Sequence, residues 1–318
     1  MIEKIIYVTG CLGFMGSHFT RRALEREWTV YGVDKITYAA NKNLLKEFKK
    51  HSTFSFERVD IKDMTFLKDC DYVVNFAAES HVENSILRSE EFIDSNIVGV
   101  KNLLDLIRFK PQNCNDRPTF LHISTDEVYG DIEEGCHSER DRLKPSNPYA
   151  AAKAAGDMLI NAWNRTYGLN YVIMRPTNNY GAGQYPEKLI PLTIKNLLRD
   201  KKIKLHNRGT PIRNWLHAED TSSAVMCVID ADVKNEIFNI AGGFEQANID
   251  TVKRVIEGFF GDKRDARKYI DFSHNRVGQD VRYALDDSKL RELGWSAQKR
   301  FNDEIDSIVE YYKKDFTW

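Results

Sequence analysis

No apolar run in this chain approaches the length needed to cross a bilayer; stretches such as Ala224 to Ile229 are far too short. The opening residues, Met1-Ile2-Glu3-Lys4, lead straight into an apolar strand-like segment. They lack the basic region, long apolar stretch and small-residue cleavage site of a signal peptide. Cysteine is sparse: Cys11, Cys70, Cys114, Cys136 and Cys227 are odd in number, scattered, and without metal-type spacing. Reduced thiols in a cytoplasmic protein with no metal centre are therefore expected. An excess of one charge is also lacking. The formal net charge of -1 removes the electrostatic case for nucleic acid or an anionic membrane as partner. Internal repeats and low-complexity linkers are absent as well.

What is present is an ordinary globular composition, 42% hydrophobic and 29% charged over 318 residues, enough for a sizeable core and about two domains. The first half alternates β-branched runs with helical patterns. Strands are predicted at Ile5 to Val8, Thr29 to Val33, Phe54 to Val59, Tyr72 to Phe76, Phe120 to Ser124 and Tyr171 to Met174. Helices are predicted at Gly16 to Arg26, Ser89 to Phe109 and Tyr149 to Tyr167. Strands separated by helices need crossover connections, which implies an α/β fold with a parallel sheet covered on both faces. After Pro176 the pattern loosens among Pro186, Pro191, Pro211, Gly181, Gly183 and Gly209. A second, smaller domain growing out of the first is expected there.

The first strand runs into Gly10-Cys11-Leu12-Gly13-Phe14-Met15-Gly16, a Gly-x-x-Gly-x-x-Gly loop that opens a helix. Glycine is needed where the chain turns sharply and where backbone approaches a pyrophosphate, and the helix start offers unpaired N–H groups to that anion. Asp34 ends the second strand, eighteen residues beyond Gly16. A carboxylate there accepts from the adenosine ribose and disfavours a 2′-phosphate, which favours NAD over NADP, although the neighbouring Lys35 blurs the charge argument. Asp60-Ile61, ending strand three, lies where an adenine edge is read.

Tyr149 and Lys153 stand four apart, stacked on one helix face. An ammonium beside a phenol is expected to lower its pKa from about 10 and let it act as a base while the nicotinamide takes a hydride. Such spacings are common on helix surfaces. This one gains meaning from Ser124-Thr125 at the C-terminal end of a strand, where α/β sheets bind ligands. Thr125 is placed to hydrogen-bond the same sugar hydroxyl. Asp126 and Glu127 follow it, and paired carboxyl groups divide into acid and base when their surroundings push their pKa values apart.

These segments resemble the extended short-chain dehydrogenase/reductase family and, within it, the dTDP-glucose 4,6-dehydratases. The resemblance covers nearly the whole chain: Asp34-Lys35-Ile36-Thr37-Tyr38-Ala39, Ala77-Ala78-Glu79-Ser80-His81-Val82, Ser124 to Gly130, Tyr149 with Lys153, Arg175 to Gly181, Pro186 to Pro191, Arg213 to His217 and Arg282-Tyr283. It implies a Rossmann-type doubly wound sheet with a smaller, mixed C-terminal substrate-binding domain. The NAD-binding part would be residues 1–177, with 218–240 returning to it, and the nucleotide-sugar part 178–217 and 241–318. It implies NAD held by Gly10, Gly13, Phe14, Met15, Gly16, Asp34, Lys35, Asp60, Ile61, Ala77, Ala78, Tyr149 and Lys153. It also implies a nucleotide-diphosphate hexose contacted by Ser80, Glu83, Asn84, Asn178, Asn179, Lys188, Leu189, His206, Arg213, Asn248, Arg276 and Gln279.

The reaction implied is oxidation at C4 by Tyr149 with Thr125, loss of the C5 proton to Glu127, protonation of the departing C6 hydroxyl by Asp126, and return of hydride to C6. In related epimerases the position of Asp126 usually carries no acid. A homodimer through the helices at Ser89 to Phe109 and Tyr149 to Tyr167 is implied too. The chain departs from the family at Glu83-Asn84, where Asp-Arg is usual, at His206-Asn207, where Tyr-Gly is usual, and at Gln279 and Val281. The resemblance puts His206-Asn207, Gln279 and Val281 around the base and pyrophosphate and Glu83-Asn84 beside the sugar, so both the hexose and its nucleotide, dTDP, UDP or GDP, stay open. A 4-epimerase or 4-dehydrogenase of the same fold, and a non-catalytic nucleotide-sugar sensor, are the alternative readings.

Overall fold

The computed structural model describes residues 3–110, 117–275 and 280–314. Arg276, Gln279 and Cys114 lie outside the described residues. Twelve strands are seen among them: β1 (Ile5–Thr9), β2 (Thr29–Val33), β3 (Phe54–Glu57), β4 (Tyr72–Asn75), β5 (Thr119–Ile123), β6 (Tyr171–Pro176), β7 (Asn178–Tyr180), β8 (Ile203–Lys204), β9 (Ile212–His217), β10 (Glu236–Ile240), β11 (Glu245–Ala247) and β12 (Ile270–Asp271).

Seven strands form one sheet in the order β10-β6-β5-β4-β1-β2-β3, every pair parallel. The reason is visible in the sequence. β4, β5 and β6 are buried at every position, as strands covered on both faces must be. Side-chain alternation then sorts each strand between two cores. Ile6 and Val8 of β1 pack in the layer beneath the helices Phe14–Glu25 and Ala218–Asp230. Tyr7 faces the opposite layer with Leu103, Leu104, Ile107 and Ile160. The polar edge strand β3 carries only Phe54 and Phe56 inward.

The chain winds outward from β1 to β3, then returns to lay β4 on the other side of β1. That reversal makes a crevice at the C-terminal ends of β1 and β4, where doubly wound sheets bind ligands. β10 extends the sheet beyond β6, so the segment containing helix Ala218–Asp230 and β10 packs with the N-terminal half of the chain. The remaining strands make a three-stranded sheet, β11-β9-β7, and a β12-β8 pair. The helices Leu189–Leu198, Asn248–Phe260 and Phe301–Lys314 pack around them over two smaller cores.

The helix expected from Ser89 to Phe109 is interrupted. It runs as Glu90–Ile93, a π-helical turn at Asp94–Val98, and Gly99–Arg108. The widened turn aims Ser95 and Asn96 inward, where both accept from the backbone N–H of Glu79 at 3.0 and 3.1 Å, and Asn96 donates back to the Glu79 carbonyl at 3.0 Å. These bonds fix the segment after β4. Gly156, on the facing helix, makes room for the turn: a Cβ there would lie 2.9 Å from the Asn96 carbonyl oxygen.

Candidate active site

A cleft opens along the C-terminal ends of the sheet strands. Its floor begins at the glycine loop. Gly10 has a left-handed φ of +68°, and a Cβ there would meet the Ala77 backbone nitrogen at 2.8 Å. Gly16 is still less replaceable, since its Cβ would come within 2.2 Å of the Gly10 carbonyl oxygen. Helix and strand therefore close around bare backbone, leaving the helix start open toward the cleft. Asp34 is 8% exposed at the end of β2. Its Oδ2 accepts from Leu12 N at 3.1 Å and its Oδ1 from Ile36 N at 2.7 Å. It thus braces the glycine loop as well as facing the cleft. Burial pushes its carboxyl pKa up, and those backbone donors pull it back. Lys35 lies 3.4 Å from both Asp60 and Glu79. Its charge is shared between those two carboxylates and also acts on Asp34, whose pKa it helps lower.

The reactive end is built by one asparagine. Asn147 accepts from Ala150 N at 2.9 Å, capping the helix Pro148–Tyr167, with Pro148 in its first turn. The same side chain donates to Glu127 Oε2 at 3.1 Å. The helix that carries Tyr149 and Lys153 is thereby tied to the 3-10 turn Asp126–Tyr129 that carries the two acids. Thr125 caps that turn, accepting from Glu127 N at 3.3 Å, and its hydroxyl donates to Asp126 Oδ1 at 3.1 Å.

Asp126 is buried at 2% exposure, and its Oδ2 has no hydrogen-bond partner. Burial, followed by the neighbouring Glu127 charge, raises its pKa to about 7, against the smaller opposing effects of the Thr125 hydroxyl and Arg213. A carboxylic acid still protonated near neutrality is thus set beside a second carboxyl group that accepts from Asn147 and Tyr283. That is the division of labour that paired acids permit.

The Tyr149–Lys153 pair corrects one expectation. Burial pushes the phenol pKa up, and the carboxylates of Glu127, Asp126 and Asp157 push it further; only the hydrogen-bonded Thr125 hydroxyl opposes them. The ammonium does not offset this, because Lys153 Nζ is occupied elsewhere. It donates to the Ile123 carbonyl at 2.7 Å and lies 3.1 Å from His122 Nε2. Burial lowers the Lys153 pKa to about 8. His122 is buried behind it, held neutral first by burial and then by the Lys153 and Arg175 charges, and its Nδ1 lies 2.9 Å from Asn75 Nδ2.

The cleft wall brings together Gly10, Gly13, Phe14, Met15, Gly16, Asp34, Lys35, Asp60, Ile61, Ala77, Ala78, Ser80, Thr125, Asp126, Glu127, Tyr149, Lys153, Asn178, Asn179 and Lys188. It does not include Glu83, Asn84, Leu189, His206, Arg213 or Asn248. Glu83 and His206 instead pair with each other at 2.7 Å, joining the two halves of the chain. Asn84 donates to the Tyr38 hydroxyl at 3.3 Å, and Tyr38 donates to Glu187 at 2.9 Å. Lys188 donates to the Ser80 carbonyl at 2.7 Å. The Arg213 guanidinium lies over the Tyr283 ring, 4.5 Å from its centroid. Asn248 begins the helix Asn248–Phe260, its Oδ1 buried without a partner. Ser95, Glu79, Tyr185 and Glu187 line the cleft without having been anticipated. The last three stand in or beside segments quoted for the resemblance, whereas nothing local marks Ser95.

A glycine-floored crevice at the switch point of a parallel sheet, with a buried Thr-Tyr-Lys set at its inner end, defines a dinucleotide-dependent enzyme of the short-chain dehydrogenase/reductase class. The chain belongs to the GDP-mannose 4,6 dehydratase family, whose pattern matches residues 7–308. It is 37% identical to the low-salt glycan biosynthesis protein Agl12 of Haloferax volcanii, over 98% of this chain and 99% of that one. It is 39% identical to a dTDP-glucose 4,6-dehydratase of Haemophilus influenzae, over 96% of this chain and 97% of the relative. Among solved structures, the dTDP-glucose 4,6-dehydratase DesIV of Streptomyces venezuelae, determined with NAD bound, superposes with a TM-score of 0.91. The two are 36% identical, over 98% of this chain and 97% of that one.

Proposed function

We propose that the protein is an NAD-dependent nucleotide-sugar 4,6-dehydratase, a hydro-lyase that converts a nucleotide-diphosphate hexose into its 4-keto-6-deoxy derivative. Among candidate sugars dTDP-glucose comes first, because that is the substrate named for the relatives from H. influenzae and S. venezuelae. The observation that carries the reading is the pair Asp126 and Glu127, side by side on the cleft wall, the first kept protonated to about pH 7. A 4-epimerase or 4-dehydrogenase needs Thr125, Tyr149 and Lys153, but has no task for a buried acid beside them.

The residues around the glycine loop fit a dinucleotide, since helix N–H groups and Asp34 are what a pyrophosphate and a ribose require. Bound NAD supplies an acceptor for the C4 hydride, a source of the same hydride for C6, and a positive ring charge that favours a nearby phenolate. Tyr149, with Thr125, takes the proton of the C4 hydroxyl. The C4 ketone acidifies the adjacent C5 proton, which passes to Glu127. Asp126 gives its proton to the C6 hydroxyl, which leaves as water. After hydride returns to C6, C5 regains a proton from Glu127.

We further assign residues 1–177 with 218–240 to the cofactor-binding part, and 178–217 with 241–318 to the sugar-nucleotide part. Pairing of β10 with β6 supports that division. A homodimer is supported by the apolar side chains left exposed on the two segments proposed to pair, among them Ile93, Val98, Phe109 and Met158. The cysteines among the described residues, Cys11, Cys70, Cys136 and Cys227, are unpaired, which supports a reducing, cytoplasmic setting. No helix among the described residues is long and apolar enough to cross a membrane. Incubation with dTDP-, UDP- and GDP-hexoses, followed by mass spectrometry, tests the reading: product one water lighter is expected, and an epimerised hexose with C6 intact overturns it.

A further inference from the structure

Glu127 is backed by a file of hydroxyl and carboxyl groups that the reaction as written leaves idle. Its Oε2 lies 3.4 Å from the hydroxyl of Tyr283. That hydroxyl is hydrogen-bonded in turn to Asp280 Oδ2. The same Asp280 oxygen accepts from Ser146 Oγ at 2.5 Å. Tyr283 and Asp280 are buried, at 3% and 5% exposure, whereas Ser146 is exposed at the surface. None of these three lines the cleft. The file therefore connects the Glu127 carboxyl group to solvent through the protein rather than through the mouth of the cleft. Its members are fixed from several sides. Ser146 directly precedes Asn147, the cap that also holds Glu127. Arg213 lies over the Tyr283 ring and donates to the Asp280 carbonyl at 3.1 Å.

A phenol hydroxyl has one proton to give and lone pairs with which to accept. Between two carboxylates it can donate to only one. With its proton turned to Asp280, Tyr283 presents a lone pair toward Glu127, an arrangement that suits a protonated Glu127. With its proton turned to Glu127, it suits the carboxylate. A base that takes the C5 proton and later returns one passes through both states. We propose that Glu127, Tyr283, Asp280 and Ser146 form a proton relay through which the C5 proton, while lodged on Glu127, exchanges with solvent. This rests on the dehydratase reading above. In the outward step the Glu127 carboxylic acid gives its proton to the Tyr283 oxygen as the phenol proton passes to the Asp280 carboxylate. Asp280 then releases a proton past Ser146 to water. The reverse sequence delivers a solvent proton to Glu127 and thence to C5; no electrons move. Tyr283 and Asp280 are positioning residues, acting through Glu127 rather than on the sugar.

The test is turnover in D2O on whichever nucleotide hexose the wild type dehydrates. C5 deuterium in the product is read by mass spectrometry and NMR. The wild type is expected to place solvent deuterium at C5. Tyr283→Phe keeps the ring over Arg213 but breaks the relay, and its product should lose most of that deuterium and retain the substrate's own C5 hydrogen. Asp280→Asn asks the same question without altering the aromatic ring. In a single turnover both variants should still develop reduced-nicotinamide absorbance at the wild-type rate, since C4 oxidation does not use the relay. A merely structural role would slow every stage and leave the isotopic composition unchanged. Full C5 deuteration by both variants, or retained C5 hydrogen already in the wild type, overturns the relay and leaves the dehydratase reading standing. No dehydrated product from any nucleotide hexose overturns both.

Discussion

Replacing Asp126 by asparagine should make the protein more stable and chemically incompetent, by an amount that depends on pH in a defined way. The wild-type carboxyl is buried at 2% exposure and has its pKa raised from 3.8 to about 7 in the folded protein. A folded pKa above the unfolded one means the native state binds the proton more tightly, so this group's contribution is full below pH ~3.8 and is lost as pH rises through about 7. The shift of about three pKa units, at ~1.4 kcal/mol each, amounts to about 4 kcal/mol as an upper figure. An asparagine side chain has nearly the same shape and no proton to lose, so Asp126→Asn should exceed the wild type by up to ~4 kcal/mol at pH 8 and by only about 1 kcal/mol at pH 4.5. Urea unfolding at the two pH values reads the gap directly. The same variant should still oxidise C4 but fail to expel the C6 hydroxyl, and wild-type dehydration should decline above pH about 7 as Asp126 ionises. A stability gap that does not change with pH would refute the reasoning, for it would mean that Asp126 is an ordinary ionised side chain.

Tyr149→Phe removes the proposed proton acceptor while keeping the ring that packs against Phe92. Turnover should fall by roughly 10² to 10⁴-fold, the usual worth of a general base, with no transient reduced-nicotinamide signal on mixing with substrate. An undiminished transient would show that another group takes the C4 proton. Gly16→Ala drives a Cβ to within 2.2 Å of the Gly10 carbonyl oxygen, so the loop must open. The purified variant should have lost cofactor, as measured by chromatography of the acid-released nucleotide. Wild-type cofactor content would contradict the close approach inferred here.

Much of this site is written in neighbouring residues. The glycine loop, Asp34 at the end of β2, and the Thr125-Asp126-Glu127 run just after β5 each declare themselves within a few positions, because turn geometry and strand ends are local. The sheet was legible for a similar reason: a strand buried on both faces reads as a continuous apolar run. What stayed hidden depends on contacts between distant segments. The π-helical turn at Asp94–Val98 answers to Glu79 and Gly156, and its own residues carry no signal for it. The lysine four residues away suggests a lowered pKa for the Tyr149 phenol, whereas burial first, and then carboxylates led by Glu127 from another element, raise it. Tyr283 comes to Glu127 across 156 residues of chain. Arg213 has its guanidinium over Tyr283, an orientation that residue type alone does not give.

In the proposed reaction one hydride leaves C4 and returns to C6 within a single bound sugar while Asp126 and Glu127 remove water between the two events. A nucleotide hexose carrying deuterium at C4 tests it most directly. The expected product is a 4-keto-6-deoxy sugar with that deuterium on C6 and no net formation of reduced cofactor. Label released in free reduced cofactor, or a product that keeps its C6 hydroxyl, would contradict it.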